Sequence, residues 1–317
     1  MRSRHEQGVA LLSVLLLVAV MSVMAVTVLD EIRFGVRRSA NAEAVGQARW
    51  YALGAEALAR SRIGALVRSQ ARLTGWSGRT VSYPVDGGTI QARISDGAAC
   101  FNLNSVVQPP LEAPRRRDAG VAQFVDLAEA AGLTEREGEM LAAALVDWID
   151  ADPLRESGGA EDEAYDGYRT AGALLAETSE LRAIRGFTPE IYGRLRPYVC
   201  ALPTADLSPI NPNTLTEAQA PLLVMLTEGR MPLAVARRLI AARPAQGWAA
   251  EEFLGLPAFV EAPLGPEADD QIKDTPRFFR LETEVAFGDA EVFSSALLEA
   301  DAAGRVRLAA RRWGLEE

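Results

Sequence analysis

A chain of 317 residues with 49% hydrophobic content can build one sizeable core or two modest ones, so a disordered tail is excluded. The net charge of −10 is unevenly spread. Residues 1–29 carry +1, residues 30–72 carry +4, and the remainder therefore carries −15, a basic stalk and an acidic head that argue against a general nucleic-acid binder.

The first segment, MRSRHEQG, is short and basic and ends in Gly8; Val9 to Leu29 then forms 21 residues without a charge. At 1.5 Å per residue this spans a ~30 Å hydrocarbon core. A secretory signal has a shorter apolar region of ~7–15 residues and a small-residue cleavage site, whereas this run enters Asp30-Glu31 with no A-x-A motif, so it is expected to be retained. Arg2 and Arg4 against Glu6 place the leader on the inner side of the cytoplasmic membrane and the rest of the chain outside it. The arrangement resembles a type IV prepilin leader, cut by a dedicated peptidase after Gly8 to leave Val9 as the new, N-methylated terminus. An ordinary signal anchor is the other reading of these residues. Most prepilins carry Glu at the fifth mature position; here it is Ser13.

Cleavage at Gly8 would remove the only histidine, His5, which disfavours Ser-His-Asp and Cys-His catalysis and every His-ligated metal site. No enzyme activity is expected. Cys100 and Cys200 are too few for a thiolate zinc site. In an oxidising periplasm they could form one disulfide, with two buried thiols as the alternative.

Residues 30 to about 70 carry apolar or small side chains at helical spacing (Ala44, Ala48, Tyr51, Ala52, Ala55, Leu58, Ile63), extending the membrane helix until Gly75 and Gly78. Strand patterns follow at Thr80–Val85 and Thr89–Ser95 around the Asp86-Gly87-Gly88 turn. From Asn104 to about Asp274 the signals are almost wholly helical. Three further strand patterns close the chain: FFRLETEVAF, Glu291–Leu298 and Arg305–Trp313. Two strands alone are marginal, so both strand groups are expected in one antiparallel sheet packed on the long helix. The predicted class is α+β, with a transmembrane helix and a large all-α insertion.

Phe101-Asn102-Leu103-Asn104, Asp147-Trp148-Ile149-Asp150-Ala151-Asp152, Gly159-Ala160-Glu161-Asp162 with Tyr165, Glu180-Leu181-Arg182 and Asn211-Pro212-Asn213-Thr214 resemble, in order and spacing, signature segments of the K-type minor pseudopilin of type II secretion systems. Members of that family typically lack the fifth-position Glu, consistent with Ser13. Pro212, where Val is usual, and Ala98-Ala99-Cys100, where a Gly-Arg pair is common, depart from the pattern. The resemblance implies a pilin-like fold divided into leader 1–8, transmembrane helix 9–29, amphipathic helix and first strands 30–104, helical insertion 105–275 and completing strands 276–317. It also implies a single-pass protein of the bacterial inner membrane, mostly periplasmic, capping the pseudopilus tip with I-type and J-type minor pseudopilins and other pseudopilins, and processed by the prepilin peptidase.

Residues 147–166 hold eight acidic side chains and Arg155, a window of −7. Asp147 and Asp150 lie one helical turn apart where a helix is expected to end near Pro153 and expose its last carbonyls, all hard oxygen donors. There is no EF-hand spacing, and composition alone reads as a solvated acidic loop. The family's calcium implies a Ca²⁺ site drawn from Asp147, Asp150, Asp152, Glu161, Asp162 and Asp166, with Trp148, Tyr165 and Tyr168 as core around it. Finally, Asn211–Leu226, Gly229–Pro232 and Leu233–Arg243 resemble a helix-hairpin-helix unit. Residues 206–261 carry six acidic and four basic side chains, which favours packing or protein binding over DNA. The competing reading of the whole chain is a signal-anchored periplasmic protein- or DNA-binding protein using such hairpins.

Overall fold

The computed structural model describes residues 4–69 and 76–314, with side chains from residue 11 onward. Residues 1–3 of the leader and the expected helix stop at Gly75 lie outside the described residues, as does the side chain of Val9.

No proline precedes Pro84, and the first helix, α1 (Arg4–Arg68), runs uninterrupted for 65 residues, about 97 Å. Its two halves differ. Leu11 to Val36 is exposed all round, as an apolar helix is when its solvent is lipid. Further on, Ala48, Ala52, Ala59, Ile63 and Val67 recur on one stripe and are buried against a sheet.

That sheet has five antiparallel strands in the order β1-β2-β3-β4-β5: β1 (Arg79–Val85), β2 (Gly88–Asp96), β3 (Phe278–Phe287), β4 (Ala290–Ala300) and β5 (Val306–Trp313). The early hairpin and the C-terminal meander thus form one sheet, as the patterning predicts. Ile90 stands opposite Val285 and Ile94 opposite Leu281, while Val285 faces Val292 and Leu281 faces Ala296. The period of two puts these side chains on one face, and α1 covers it chiefly over β3 and β4.

Two contacts fix the helix. Gly64 meets Gly304 in the β4–β5 turn so closely that a Cβ on either would come within 2.5 Å of the other's carbonyl oxygen, and Gly304 also needs its φ of +72°. Glu56, 6% exposed, receives a bidentate pair from Arg311 on β5, with Nε to Oε2 at 2.8 Å and Nη2 to Oε1 at 3.0 Å.

Residues 97–277 leave the sheet at β2 and return at β3 as a second lobe. It contains α2 (Asp118–Ala130), α3 (Glu135–Ile149), α4 (Pro189–Leu195), α5 (Pro221–Leu226), α6 (Leu233–Ala241), α7 (Ala250–Leu254) and α8 (Pro257–Glu261) around Phe101, Phe124, Leu127, Leu145, Ile149 and Leu181. The lobe is the expected helical insertion, though it is not helical throughout. Residues 150–188 hold no α-helix, interrupted by Pro153 and by the positive-φ Gly158, Gly167, Gly172 and Gly186, and residues 201–220 hold none either, interrupted by Pro203, Pro209 and Pro212. Side-chain amides bind their backbone instead: Asn104 Nδ2 donates to the Leu175 and Leu202 carbonyls, and Asn213 exchanges two hydrogen bonds with Trp248.

The lobes meet at a covalent neck. Cys100 and Cys200 are joined by a disulfide with Cα atoms 5.8 Å apart, beside a short parallel pairing of Phe101–Asn102 with Val199–Cys200. Asp96, the last residue of β2, is buried there and accepts from the Ala98 N–H at 2.9 Å and the Thr214 hydroxyl at 2.6 Å. Burial pushes its carboxyl up to about 6.

Two stability predictions follow from these buried groups. Arg311→Ala strands the Glu56 carboxylate and should lower stability by about 2–3 kcal/mol, whereas Glu56→Leu with Arg311→Met should recover most of it. Urea unfolding of the detergent-solubilised chain checks both. Asp96 binds its proton more tightly folded than unfolded, so its contribution is fullest at pH below about 4 and is lost as pH rises through about 6, by at most about 3 kcal/mol. Asp96→Asn should keep the fold and flatten that part of the unfolding-midpoint profile.

Candidate functional site

The acidic window folds around the end of α3. That helix starts on a capping box in which Thr134 Oγ1 accepts from Glu137 N–H, and its buried face carries Leu141, Leu145, Asp147, Trp148 and Ile149. Asp150 caps the C-terminus in an extended conformation, so Asp147 and Asp150 both point inward. The chain then turns back and delivers Glu161 to the same place. A Cβ at Gly159 would lie 2.0 Å from Asp147 Oδ2, which makes glycine necessary at that close approach.

Asp147, Asp150 and Glu161 are all buried, and one oxygen of each (Oδ2, Oδ1 and Oε1) has no hydrogen-bond partner. Asp147 Oδ1 is used by the Glu156 N–H at 2.9 Å. Burial raises all three carboxyls above their ordinary range, and neighbouring carboxylates add to it, Glu156 beside Asp147 and Asp147 with Asp162 and Asp152 beside Glu161. Asp150 is pushed up to about 7, first by desolvation and then by Asp152, Glu161, Asp147 and Glu156. Orphaned carboxylate oxygens are the hard donors a divalent cation takes. Among the described residues no group of three His, Cys, Asp or Glu side chains stands assembled at ion-holding distances.

The remaining expected ligands are placed differently. Asp152 is exposed and its Oδ1 caps the Leu154 N–H at 2.9 Å. Asp162 accepts from Thr170 N–H and hydroxyl at 3.0 and 2.9 Å, contacts that lower its carboxyl, so it stands outside the buried group. Asp166 is exposed and also outside it. The helix-end carbonyls expected to be exposed are in use: Val146 O accepts from Asp150 N–H, and Trp148 O from Ala171 and Gly172. Trp148, Tyr165 and Tyr168 pack as rings with centroids 5.2–6.2 Å apart, but of the three expected as core around the loop only Trp148 is buried, Tyr165 being half-buried and Tyr168 49% exposed. A contact the sequence left unread is Arg116, whose Nη1 reaches Glu156 Oε2 at 3.1 Å and brings a cation from outside the window to the loop. Only the run Arg115-Arg116-Arg117 signalled it, and such a run reads as solvated.

The hairpin-like unit is α5, a turn and α6. Its turn faces carboxylates: Glu228 pairs with Arg230 at 2.6 Å, and Asp126 lies beside Gly229 with its carboxyl raised to about 6 by burial and by Glu129 and Glu228. That field repels phosphate. The Asn102 side chain binds Thr204, Asp206 and Leu202 backbone, and Asn211 binds Asp274 and Asn213, so these signature asparagines brace loops.

Family models described as "Type II secretion system (T2SS), protein K" match residues 99–204 and 210–273. Type II secretion system protein K of Pectobacterium carotovorum subsp. carotovorum is 36% identical over 99% of this chain and 98% of that protein. The Pseudomonas aeruginosa protein of that name is 31% identical over 98% and 94%. The solved GspK-GspI-GspJ complex from the enterotoxigenic Escherichia coli type 2 secretion system contains a chain that superposes with a TM-score of 0.75, at 26% identity over 88% of this chain and all of that one. The long helix on an antiparallel sheet with a helical insertion is therefore the pilin-like fold of that complex, and this chain belongs to the type II secretion system protein K family.

Proposed function

We propose that this protein is a membrane-anchored minor pseudopilin that caps the pseudopilus tip and takes part in export of folded proteins across the outer membrane, without enzyme activity. The observation that carries the reading is the division of α1: an exposed apolar half fit for lipid, and a second half that holds a sheet carrying a bulky lobe. Such a lobe above the helix leaves no room for a further subunit. Ser13 supports the tip position. In filaments the fifth-position Glu is thought to neutralise a neighbour's terminal amine, and an unpaired carboxylate in lipid is expensive. A subunit with nothing above it has no use for one. The inner membrane and periplasm follow from the basic leader, and the partners from the family, in whose solved complex K stands with I and J subunits. Co-purification of the full chain with I-type and J-type subunits tests the reading.

Processing gives a separate test. In cells with the prepilin peptidase the mature chain should begin at Val9, N-methylated, as read by N-terminal sequencing or intact mass. An intact leader there, or normal processing of Gly8→Ala, would overturn the pseudopilin reading.

In this reading the acidic loop holds Ca²⁺ through Asp147, Asp150 and Glu161, with Asp152 at its edge. The ion supplies positive charge that offsets the −7 window and pins residues 150–161 to α3. Ca²⁺ at 100 times its dissociation constant should add ~2.7 kcal/mol, seen as a higher melting temperature than in EDTA. Asp150→Asn should raise the melting temperature in EDTA, by removing repulsion, and should shrink the calcium-induced rise. No difference between Ca²⁺ and EDTA for the parent chain would exclude the site.

A further inference from the structure

A cavity of about 400 Å³ opens between α3, the turn at Gly158, Gly186 and the start of α4. Ligand cavities occupy ~300–1,000 Å³, so this one is large enough to be used. Leu141, Ala144 and Ile191 give it an aliphatic lining, and Met140, 51% exposed, adds a flexible thioether that adapts to what it meets. Gly158 and Gly186 hold φ of +90° and +93°, and a Cβ on Gly186 would come within 3.1 Å of Leu141 Cδ2, so glycine keeps these turns out of the space. Two cations complete the lining. Arg155 and Arg185 are exposed and form no ion pair among the described residues; Asp147 feels Arg155 only through space. Glu137, the acidic member, is already engaged, accepting from the Thr134 N–H at 2.8 Å and the Thr134 hydroxyl at 2.7 Å. Residues 181–196 carry Arg182, Arg185, Arg194 and Arg196 against Glu190, a net +3 within a head whose total is −15.

We infer that this cavity binds a segment of another protein in which an apolar side chain is flanked by carboxylates, the side chain entering between α3 and α4 and the carboxylates meeting Arg155 and Arg185. Three properties select that occupant. The stretch of α3 that lines the cavity, Glu137 to Ala144, is about 10 Å long, room for one or two side chains, whereas an acyl chain extends ~15 Å, half the hydrocarbon core. Aliphatic walls offer inorganic phosphate nothing beyond the two arginines, while an apolar side chain gains by leaving water. The arginines set the sign of what flanks that side chain. A guanidinium fork suits a carboxylate, and a basic segment is repelled. None of the acidic residues of the 147–166 window lines the cavity, so the negative loop does not stand in the way. Neither the tip position nor the calcium ion is needed for such binding.

The test is fluorescence polarisation of end-capped peptides GSGEXEGSG, in which X is Phe, Leu, Ile or Met, titrated with the full chain in detergent at low salt. The best of them should bind saturably, about tenfold tighter than its counterpart with glutamine in place of both glutamates and about tenfold tighter than GSGEAEGSG. Arg155→Gln and Arg185→Gln should each weaken it about tenfold, and Met140→Trp, which fills the cavity, should weaken it at least as much; all three side chains are exposed, so the melting temperature should stay that of the parent. Arg93→Gln on β2 should leave the affinity unchanged. No saturable binding by any of the peptides, equal binding of the glutamine or alanine counterpart, or full affinity in Met140→Trp or in both arginine variants overturns the assignment. Displacement by millimolar inorganic phosphate or by phosphatidylglycerol vesicles, but not by unlabelled peptide, overturns it as well and gives the site to a simple anion or to lipid.

Discussion

The pairing of β2 with β3 is the constraint on which the rest of this molecule depends. It aligns Gly88–Asp96 with Phe279–Phe287, segments separated by more than half the chain, and so completes a sheet that neither the early hairpin nor the C-terminal meander could stabilise alone. Everything between must leave the sheet and return to the same edge-to-edge junction, which makes the helical residues a lobe. The register also sets the face on which α1 lies: a slip by one residue would turn Ile90, Ile94, Leu281 and Val285 away from the helix.

The junction created by that pairing is held by different chemistry from either lobe. A disulfide, a buried carboxyl at Asp96 and a small cluster of Ala98, Leu202 and Phe278 occupy the neck, while Arg277 bridges Glu299 and Asp206 across it. Apolar burial is non-directional, whereas these hydrogen bonds and the covalent link specify one orientation. A rigid neck suits a protein whose anchor lies far from its head, because any motion at the joint is multiplied along the length of α1.

The acidic turn after α3 and the exposed apolar side chains along β1 and the flank of α1 are both places where the isolated chain is incomplete. Three buried carboxylates with orphaned oxygens carry a desolvation cost that their neighbours among the described residues do not offset fully, and Arg116 reaches only Glu156 at the edge. Trp50, Leu58, Val81 and Tyr83 likewise stand in water. Each defect is opposite in kind, charge without counter-charge and apolar surface without cover, and each defines its occupant by that property.

Local pattern was enough to read the membrane segment, the amphipathic second half of α1, all five strands and the joining of the two strand groups into one sheet. Those features depend on periodicity and on runs that are explicit in the residues. The helix-poor stretches at 150–188 and 201–220 were not legible, because their order comes from Asn102, Asn104, Asn211 and Asn213 binding backbone groups up to 104 residues away. Within the acidic window, composition identified the place but not the members. Asp147, Asp150 and Glu161 differ from Asp162 and Asp166 only in what surrounds them, and burial is a property of the folded chain. Sequence by itself thus determined the anchor, the sheet and the sign of each region's charge. The tertiary structure decided which carboxylates lose their water, that Cys100 and Cys200 meet and that β1 stays largely exposed, since each depends on how distant segments share one volume.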